Sequence, residues 1–539
     1  MWSLLLACPA PEPTPSDSSS TAAVECPGDD LGPTTMRVAP FVQSVGPTSA
    51  WIVWETEAGL GGAVDYGPSE DGLVNTTCAR SVPLADGIAS ATSVFEAELT
   101  GLVPGATYTY RARTGATVSA EATFRAASDD PEAGVHLVAM GDSQLDPAHP
   151  DKFREVVQDG VLPWTSTTWG TETARAIDLV LLAGDLVDNG WVPSDWTDAF
   201  FAPAAPLLAS VPLYPVLGNH EANTPLYFRY FHLPEEAGER WYTVDRSNLR
   251  VVSLDSNPPF DSDEQLLWLD QVLAETCADP VIDFVLAQLH HPYRSELWPA
   301  GESDWSGQVV ARLEAFSSEC GKPSIHFYGH THAYSRGQSR DHQHLWVNVS
   351  SAGGALDRWG PGAVDQAEFV TSQDTWGFVA LEVVAGDNPL LRLRRVDRGN
   401  DDAPADNAVT DDLVVLRYPG APGRPTAAGV SSACDGPPTL EGSPFVDPDG
   451  DAQQGAQWQV AATCDGFAEP TVDHWRQEPD TFGPTPGPGD SLTEDLFPEL
   501  GPGATVCWRV RYRDATLAWS EWSEPAPLSI PICGAATAP

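Results

Sequence analysis

Five short apolar runs in the middle of the chain each lead into a residue that can bind a metal. The runs with their following residues occupy positions 135–144, 179–188, 215–221, 284–292 and 324–332. Apolar runs of this length, bounded by turn residues such as glycine, are typical of buried strands. The candidate ligands are Asp142, Asp185, Asn219, His290, and the pair His330 and His332. Because the carboxyl ends of strands in an open α/β sheet line one crevice, the pattern predicts a two-metal site there.

The pair His330 and His332 shows why the whole set is needed. In an extended segment, side chains two residues apart point the same way, so both imidazoles can reach one site. Imidazole is the commonest neutral metal ligand. One His-x-His pair is weak evidence, but here it follows four other strands that end in ligand-type residues.

The hydrophobic pattern also divides the chain into segments. Alternating β-rich runs with regular turn clusters predict an all-β domain, and strands that alternate with amphipathic stretches predict an α/β domain. Within the α/β part, helices are predicted over residues 264–276 and 309–316, and late strands over residues 344–349, 378–383 and 391–393. The predicted segments are 1–35, a leader and low-complexity tether; 36–127, all-β; 134–398, α/β; 399–425, a linker rich in Asp, Pro and Gly; and 426–539, again β.

The chain is strongly acidic, with a formal net charge of −48 from 76 Asp and Glu against 28 Lys and Arg. A field of this sign repels nucleic acids and anionic lipids, so neither is expected as a partner. It also opposes anionic substrates, so a phosphate site has to supply its own positive potential, as metal ions do. After the N-terminus, no apolar run reaches the length of about twenty residues that a membrane-spanning helix needs.

The N-terminal segment ends its short apolar run in Leu5-Leu6-Ala7-Cys8. This resembles the lipobox of bacterial lipoproteins, in which the cysteine is lipidated, and a low-complexity stretch at residues 9–23 follows as a surface tether would. The apolar run is short and lacks a basic start, so a chance match is the alternative. We expect a secreted or cell-envelope protein with a lipid anchor at Cys8.

Nine cysteines are present, and setting Cys8 aside leaves an even number, as disulfides in an oxidising compartment require. Their distribution over the predicted domains favours Cys26–Cys78 and Cys277–Cys320. Two further bridges are expected among Cys434, Cys464, Cys507 and Cys533. No pair has CxxC spacing, so a zinc ribbon is not expected.

The last β segment contains two notable patterns. Residues 508–513 alternate aromatic or apolar residues with arginines, and residues 519–523 read Trp-Ser-Glu-Trp-Ser. Together they resemble the WSxWS ladder of a fibronectin-type module. Asp447, Asp449 and Asp451 alternate around Gly450, as in loops that bind calcium. No glutamate follows at the position that an EF-hand needs, so a plain acidic turn is the expectation.

The motif series GD, GDxxD, GNHE, HHP and GHTH resembles the calcineurin-like metallophosphoesterase superfamily over about residues 134–397. The preceding β domain resembles the one that the purple acid phosphatase branch carries. Residues 102–108 there look like the turn and tyrosine corner of a fibronectin type III sandwich. The resemblance implies a multidomain protein: an α/β four-layer metallophosphoesterase sandwich flanked by two all-β fibronectin-like sandwiches.

The resemblance also implies how the ligands divide between two metals. Asp185 would bridge them, Asp142 and His332 would complete metal one, and Asn219, His290 and His330 would complete metal two. Relatives give metal one a further His from DxH or a Tyr from GDxxY. This chain has Gln144 at the first place and Asp188 at the second. Gln144 is therefore the candidate for a weaker oxygen ligand.

The missing tyrosine predicts a protein without purple colour and leaves the metal open among iron, manganese and zinc. By the same resemblance, His220 contacts the phosphate and acts as general acid, and Glu221 orients it. His291 would face either substrate or solvent. Arg336, in a stretch that resembles the AYER of purple phosphatases, would either bind phosphate or brace its loop.

The function implied is a dimetal phosphoric ester hydrolase that uses metal-bound hydroxide, with a phosphate ester as its substrate. A phosphomonoesterase of the acid phosphatase type is the first expectation, since the domain layout resembles acid phosphatases. A phosphodiesterase of the same superfamily is the alternative. A non-enzymatic cell-surface binding protein is the alternative from another class.

Overall fold

The computed structural model describes residues 25–27, 31–57, 59, 61–83, 92–431, 437–478, 482–483 and 491–532. The predicted lipid anchor at Cys8 and two of the predicted disulfide cysteines, Cys434 and Cys533, lie outside these residues.

The N-terminal domain is a sheet whose strands follow the order β1-β2-β5-β4-β3-β6-β7, with β8 paired to β6. The strands are β1 (Met36–Gln43), β2 (Ser49–Thr56), β3 (Gly62–Pro68), β4 (Asn75–Val82), β5 (Ser93–Thr100), β6 (Thr107–Thr114), β7 (Thr117–Val118) and β8 (Ala122–Arg125). In β6 every second side chain is buried, which is what a period of two produces in a strand with one face on a core. Tyr108 accepts a hydrogen bond from the backbone N–H of Val103 at 2.9 Å, the bond expected of a tyrosine corner.

The N-terminal domain packs directly against the central region. Phe41 and Val53 belong to the same apolar core as the central strands. Tyr110 donates to the carbonyl oxygen of Ala209 at 2.8 Å, and Tyr230 donates to Glu55 at 3.1 Å. The two regions therefore share one apolar core and are joined by side-chain hydrogen bonds.

The central region contains strands in two sheets, joined by helices. Its strands are β9 (Val135–Met140), β10 (Leu179–Leu182), β11 (Leu213–Pro215), β12 (Tyr242–Arg246), β13 (Leu249–Ser253), β14 (Phe284–Gln288), β15 (Ser324–Tyr328), β16 (Tyr334–Gln338), β17 (His344–Asn348), β18 (Phe369–Gln373), β19 (Trp376–Val384), β20 (Leu390–Gly399) and β21 (Pro404–Leu416). Its helices are α1 (Lys152–Arg154), α2 (Leu162–Thr168), α3 (Thr173–Ala176), α4 (Ala202–Leu208), α5 (Pro225–Tyr230), α6 (Asp263–Ala278) and α7 (Asp304–Cys320). π-helical segments Glu155–Val161 and Asp195–Phe201 precede α2 and α4, and short turns lie at Glu236–Glu239 and Pro299–Gly301.

The first sheet has the order β11-β10-β9-β19-β20-β21 and the second β12-β13-β14-β15-β17-β16-β18. They face each other across one apolar core that includes Leu181 and Leu381 from the first sheet and Leu286 and Phe327 from the second. Side chains alternate along β14, so Val285 lies on the opposite face, where it packs with α6 and α7.

Helix α6 confirms the prediction over residues 264–276, with Ser262 as its N-cap accepting from the backbone of Gln265. Of its apolar residues, Leu266 and Leu269 are buried, whereas Leu267 is 67% exposed. The second predicted helix is longer than its apolar pattern indicates, because α7 also includes polar residues at both ends.

The predicted linker is wrong in its first half. β21 pairs with β20 along its length, for example Leu391 with Val415 and Arg395 with Asp411. Only its last part contributes buried apolar residues, Leu413 and Val415. It is an edge strand of the first sheet, and an edge strand that faces solvent has the polar composition of a linker.

The C-terminal region contains two smaller sheets, with the orders β22-β23-β26 and β25-β24-β27-β28. Their strands are β22 (Ala427–Ser431), β23 (Thr439–Gly442), β24 (Gln453–Ala461), β25 (Val472–Gln477), β26 (Glu494–Leu496), β27 (Thr505–Asp514) and β28 (Ala526–Ser529). Trp458, Trp508 and Leu440 pack in the core between them.

The predicted ladder of arginines and tryptophans is present. The guanidinium of Arg509 lies 4.1 Å from the ring centre of Trp522, and that of Arg511 lies 4.3 Å from Trp519. Arg513 extends the ladder to the central region, where it donates to the carbonyl oxygens of Ser339 and His342 at 2.8 Å each. The fibronectin-like assignment of both flanking domains stays a prediction.

Disulfides Cys26–Cys78 and Cys277–Cys320 form as predicted, and Cys464–Cys507 is one of the two bridges expected in the last segment. Three disulfides are typical of proteins that fold in an oxidising compartment. Within the described ranges, no helix is long and apolar enough to cross a membrane.

Candidate dimetal centre

The predicted ligands meet where the carboxyl ends of strands from the two sheets come together. β9, β10 and β11 are parallel neighbours in the first sheet, and the loops after them carry Asp142, Asp185 and Asn219. β14 and β15 are parallel neighbours in the second sheet, and they lead to His290 and to the pair His330 and His332. All six side chains therefore reach one site because parallel strands end at the same edge.

The backbone at this site is held in an unusual conformation. Asp142, Asp185 and His330 have positive φ angles of 56°, 51° and 74°. Residues other than glycine adopt this region rarely, and they are held there only where the surrounding structure fixes them, often at functional sites. The turn that follows each strand is thus shaped to direct a ligand rather than to minimise local strain.

Two glycines in the motifs allow the loops to approach closely. A Cβ atom on Gly184 would lie 2.6 Å from Nδ1 of His290, and one on Gly218 would lie 2.1 Å from Oδ1 of Asp185. Gly184 also has a φ of +87°, which L side chains rarely adopt. Substitution at either position would displace the ligands themselves.

Asp142, Asp185 and His332 form the first group of ligand atoms, which lie within 4.8 Å of one another. Nε2 of His332 lies 3.2 Å from Oδ1 of Asp142. The other ring nitrogen, Nδ1, donates to the carbonyl oxygen of Ala355 at 2.6 Å. Because that bond places a proton on Nδ1, Nε2 is the nitrogen that faces the other donors.

Gln144 belongs to this first group. In the amide orientation that satisfies its neighbours, its nitrogen donates to the carbonyl oxygens of Asp185 at 3.0 Å and Asp142 at 3.2 Å. Its side-chain oxygen then lies 3.0 Å from Nε2 of His332. In this orientation the amide is anchored through its nitrogen and its oxygen faces His332, and the ligand role of Gln144 stays a prediction.

The second group is centred on His290, which is fully buried. Its Nδ1 donates to the carbonyl oxygen of Ala183 at 2.8 Å, and its Nε2 lies 2.9 Å from Oδ1 of Asn219. Oδ2 of Asp185 is 3.2 Å from the same Nε2. Asp185 thus reaches both groups, and its bridging role stays a prediction. The His330 ring completes this group, with its centre 5.0 Å from that of His290.

The distances fit a metal-binding role for these donors. Two ligands at right angles around a metal, each at about 2.1 Å, lie about 3.0 Å apart. The separations of 2.9–3.2 Å between donor atoms match that spacing. Carboxylate, amide and imidazole donors together suit iron, manganese and zinc.

The electrostatics of the site couple its carboxylates to its imidazoles. Burial would raise the pKa of Asp185, but the positive charges of His290 and His220 outweigh burial and hold it below its usual range. Burial would likewise lower the pKa of His290, but the nearby Asp185 carboxylate raises it to about 10. The carboxylates therefore need positive charge beside them, which the imidazoles provide in the protein alone.

His220 lies at the mouth of the site. Its Nδ1 donates to the backbone carbonyl oxygen of Asp188 at 2.6 Å, and its Nε2 lies 3.9 Å from Oδ2 of Asp185. The side chain is 35% exposed. It lines a cavity of about 210 Å³ with Asp185, Asn219, Trp298, His330, His332 and Asp357.

The predicted role of Glu221 in orienting His220 is wrong. The Glu221 carboxylate is fully buried and accepts from the backbone N–H groups of Asp185 at 3.0 Å, Leu186 at 2.7 Å and Gly218 at 2.7 Å. It joins the loops after β10 and β11. The orienting group for His220 is the Asp188 carbonyl.

His291 lies beside the second group of donors, with a ring nitrogen within 4.8 Å of those of His290 and His330, whereas Arg336 lies away from the residues that line the cavity. His291 is half-buried, and its Nδ1 lies 2.9 Å from the hydroxyl oxygen of Ser256. The centre of its ring lies 4.6 Å from that of the His330 ring. Burial, together with the charge of His290, lowers its pKa to about 3. Arg336 is 2% exposed and pairs with Asp411 on β21. Of the two roles open to Arg336, bracing fits this contact.

Sequence reasoning missed three side chains at the site. Asp357 accepts from the backbone N–H of His332 at 2.9 Å, and Ser350 donates to Asp142. The Trp298 ring lies 4.9 Å from that of His330 and is 39% exposed at the cavity. None follows a strand in a recognisable motif, so no local signal marked them.

The comparisons with known proteins agree with this geometry. Residues 135–334 match the family model described as Calcineurin-like phosphoesterase, and residues 37–126 match the one described as Purple acid Phosphatase, N-terminal domain.

Two curated relatives and one solved structure are informative. A probable cyclic nucleotide phosphodiesterase of Fibrobacter succinogenes is 29% identical over 194 residues, which is 35% of this chain and 72% of that protein. The protein named probable inactive purple acid phosphatase 27 of Arabidopsis thaliana is 26% identical over 191 residues, 30% of each chain. The structure of purple acid phosphatase PPD1 from yellow lupin (Lupinus luteus) seeds has a TM-score of 0.55 at 19% identity, over 70% of this chain and 74% of that one, which shows a shared fold.

The chain thus carries a hydrolase domain of the calcineurin-like phosphoesterase family, preceded by a purple acid phosphatase N-terminal domain.

Proposed function

We propose that this protein is a dimetal-dependent phosphoric ester hydrolase and that phosphomonoesters are its substrates. The observation that carries the proposal is the position of Asp185 between two groups of donors, 3.2 Å from His290 and within 4.8 Å of Asp142 and His332. Asp142, Gln144, Asp185 and His332 would hold one cation, and Asp185, Asn219, His290 and His330 the other. Cations bound there supply the positive charge that offsets the phosphoryl group and activates water.

The protein's own residues position the substrate and move a proton. His220 has its Nδ1 proton fixed on the Asp188 carbonyl, so Nε2 is the atom that faces the cavity. A protonated Nε2 donates to a phosphate oxygen and then to the leaving oxygen, as a general acid does. Asn219, next to it, presents its side-chain oxygen to Nε2 of His290 and so keeps the loop after β11 against the donors.

The cavity dimensions favour a phosphomonoester. Its volume of about 210 Å³ is below the usual range for sites that enclose a whole ligand, about 300–1,000 Å³. A site of this size encloses a phosphoryl group and leaves the rest of the ester outside, against the exposed Trp298. We therefore expect broad tolerance of the leaving group.

A phosphodiesterase is the second candidate, because one relative is named a probable cyclic nucleotide phosphodiesterase. A non-enzymatic surface protein is the third, since another is named as inactive. The described disulfides agree with our further proposal of a secreted or cell-envelope protein. We also propose that the phosphoesterase domain is a four-layer sandwich and that the domains flanking it are fibronectin-like.

The test is hydrolysis of 4-nitrophenyl phosphate and of bis(4-nitrophenyl) phosphate by the full-length protein. It should be treated with a chelator and then reloaded with iron, manganese or zinc. We expect loss of activity on chelation, recovery on reloading, and faster turnover of the monoester. Faster turnover of the diester would favour the second candidate, and no turnover with any metal would favour the third. Asp185→Asn, prepared in the same way, controls for contaminating phosphatases.

A further inference from the structure

A second group of carboxylates lies far from the dimetal centre, in the C-terminal domain. Asp447 and Asp451 are in the loop before β24, and Asp514 is the last residue of β27. One oxygen atom from each lies within 4.8 Å of the others. The sequence favoured a plain acidic turn because no glutamate follows the loop, and β27 supplies a third carboxylate instead.

Asp514 distinguishes this group from an ordinary acidic turn. Its side chain is fully buried, with 0% exposure. Its Oδ1 accepts from the backbone N–H groups of Thr516 and Ala518 at 2.8 and 2.9 Å, and from the Thr516 hydroxyl at 2.9 Å. Its Oδ2 is buried and accepts no hydrogen bond from the described residues. Three donors thus fix the carboxylate while its second oxygen is turned, unpartnered, toward the other two.

The other two carboxylates each have an unpartnered oxygen atom as well. Oδ2 of Asp447 and Oδ2 of Asp451 are also buried without a hydrogen-bond partner in the described part of the chain. Oδ1 of Asp447 accepts from the backbone N–H groups of Asp449 and Asp451 at 2.8 and 3.2 Å, so its Oδ2 is the oxygen left without a partner. A buried unpaired carboxylate oxygen is costly, and three that converge cost more.

No close ion pair in the described residues neutralises these carboxylates, although the charge of the adjacent Arg513 interacts with Asp514. None of the ion pairs in the described residues involves Asp447, Asp451 or Asp514. The neighbouring Arg513 uses its N–H groups on the carbonyl oxygens of Leu517, Ser339 and His342. Burial raises the pKa of Asp514 to about 6, and burial together with the charges of Asp447 and Asp449 raises the pKa of Asp451.

We propose that Asp447, Asp451 and Asp514 bind a calcium ion. Calcium takes oxygen ligands at about 2.3–2.6 Å, so one ion reaches oxygen atoms up to roughly 5 Å apart. The three oxygens fall within that span, and water or main-chain carbonyls complete the usual six to eight ligands. All donors are oxygen, which separates this site from the imidazole-rich dimetal centre.

The position of the site indicates what the ion does. Asp514 pairs in register with Gln453 of β24, so a calcium ion joins the 447–451 loop to the ends of two neighbouring strands. The next residue toward the N-terminus, Arg513, contacts the central region through Ser339 and His342. Calcium therefore stabilises the C-terminal domain and the edge that it shares with the phosphoesterase domain.

The test is equilibrium dialysis of the full-length protein against ⁴⁵Ca²⁺, with Asp514→Asn, Asp451→Asn and Asp449→Asn. Asp449 is the matched control, because it is an exposed carboxylate of the same loop that lies against Gly420 and not in the group. Asp185→Asn is the control for the dimetal centre. We expect wild type, Asp449→Asn and Asp185→Asn to bind one more calcium ion per chain than Asp514→Asn and Asp451→Asn. Equal binding in all five proteins, or loss confined to Asp185→Asn, would overturn the proposal.

Thermal unfolding of the same proteins gives a second measurement. Without calcium, Asp451→Asn should unfold at or above the wild-type temperature, since it removes one of three repelling charges. With calcium, wild type should unfold at a higher temperature than Asp451→Asn. Asp451 is the deciding variant if Asp514→Asn fails to fold, because its side chain accepts no hydrogen bond from the described residues. A wild-type midpoint that calcium leaves unchanged would contradict the proposed stabilisation.

Discussion

His220 donates its Nδ1 proton to the backbone carbonyl oxygen of Asp188, 2.6 Å away. The acidic side chain of Asp188 lies farther off, with Oδ1 at 3.8 Å, and is 60% exposed. The residue that replaces the tyrosine of the purple enzymes thus orients the proposed acid through its main chain. Its exposed carboxylate is not among the described residues that line the cavity, and the expectation of a colourless protein stays a prediction.

This relationship predicts opposite outcomes for two substitutions. His220→Ala should retain bound metal and lose about 10²–10⁴-fold in rate, the usual contribution of a general acid. Asp188→Ala should lose much less than this, because the carbonyl that orients His220 is unchanged. Steady-state kinetics with an aryl phosphate and metal analysis of both variants make the comparison. Depletion of metal in His220→Ala would contradict the assigned role.

Asp185→Asn should lose both metals, because the described carboxylate that reaches both groups becomes neutral. Elemental analysis of the purified variant should show metal well below one equivalent, and activity should fall accordingly. Asn219→Ala is the comparison, since Asn219 contacts only the second group in the structure. Retention of two metals by Asp185→Asn would exclude the bridging position.

We expect substitution of Glu221 to lower the free energy of unfolding rather than to slow the proton-transfer step. Glu221→Ala leaves the buried backbone N–H groups of Asp185, Leu186 and Gly218 without their acceptor, at a cost of about 1–3 kcal/mol for each group left unsatisfied. Urea unfolding should show a clear loss of stability, whereas His220→Ala should unfold like wild type. If Glu221→Ala were as stable as wild type, the carboxylate would not be joining the two loops.

The metal donors could be predicted from the sequence because each lies directly after its own apolar run, so the signal is local. Parallel strands then place such residues at one edge without any further information. Arg336 could not be assigned in this way, because its partner Asp411 lies on a distant edge strand. That strand alternates exposed polar residues over most of its length, so its composition resembles a linker.

The roles around the donors were harder to predict than the donors themselves. Glu221 follows His220 directly, and the family resemblance implied that its side chain orients His220. The backbone turns between them, so the Glu221 carboxylate is buried under the loops while the His220 ring faces the cavity. The proposed calcium site was equally hard to predict from the sequence. Asp514 is distant from the 447–451 loop in sequence, and the pairing of β24 with β27 brings the two together.

His474 predicts a pH dependence of stability in the C-terminal domain. Its Nδ1 lies 2.6 Å from Asp495, and this hydrogen bond raises the pKa of His474 against the opposing effect of burial. A raised folded pKa means that the stabilisation is fully present below the ordinary histidine value of 6.5 and is lost as the pH rises through the folded value. Screening by solvent limits the effect to about 0.2–1 kcal/mol. His474→Gln should remove this decline, measured by thermal unfolding from pH 6 upward, and an unchanged decline would assign it to other groups.

Gln144 predicts a difference in affinity between the two metals. Its amide oxygen is a weaker donor than the imidazole or phenolate that relatives place nearby, so the cation held by Asp142 and His332 should dissociate first on mild chelation. The amide nitrogen is already anchored by the carbonyl oxygens of Asp142 and Asp185, which fixes the oxygen beside His332 Nε2 at 3.0 Å. Gln144→His should raise occupancy at low metal concentration, because it adds a nitrogen donor at that place. Gln144→Ala should lower it and leave the second cation in place. Metal titrations of the three proteins, followed by calorimetry, measure both steps, and equal affinities in all three would exclude Gln144 as a ligand.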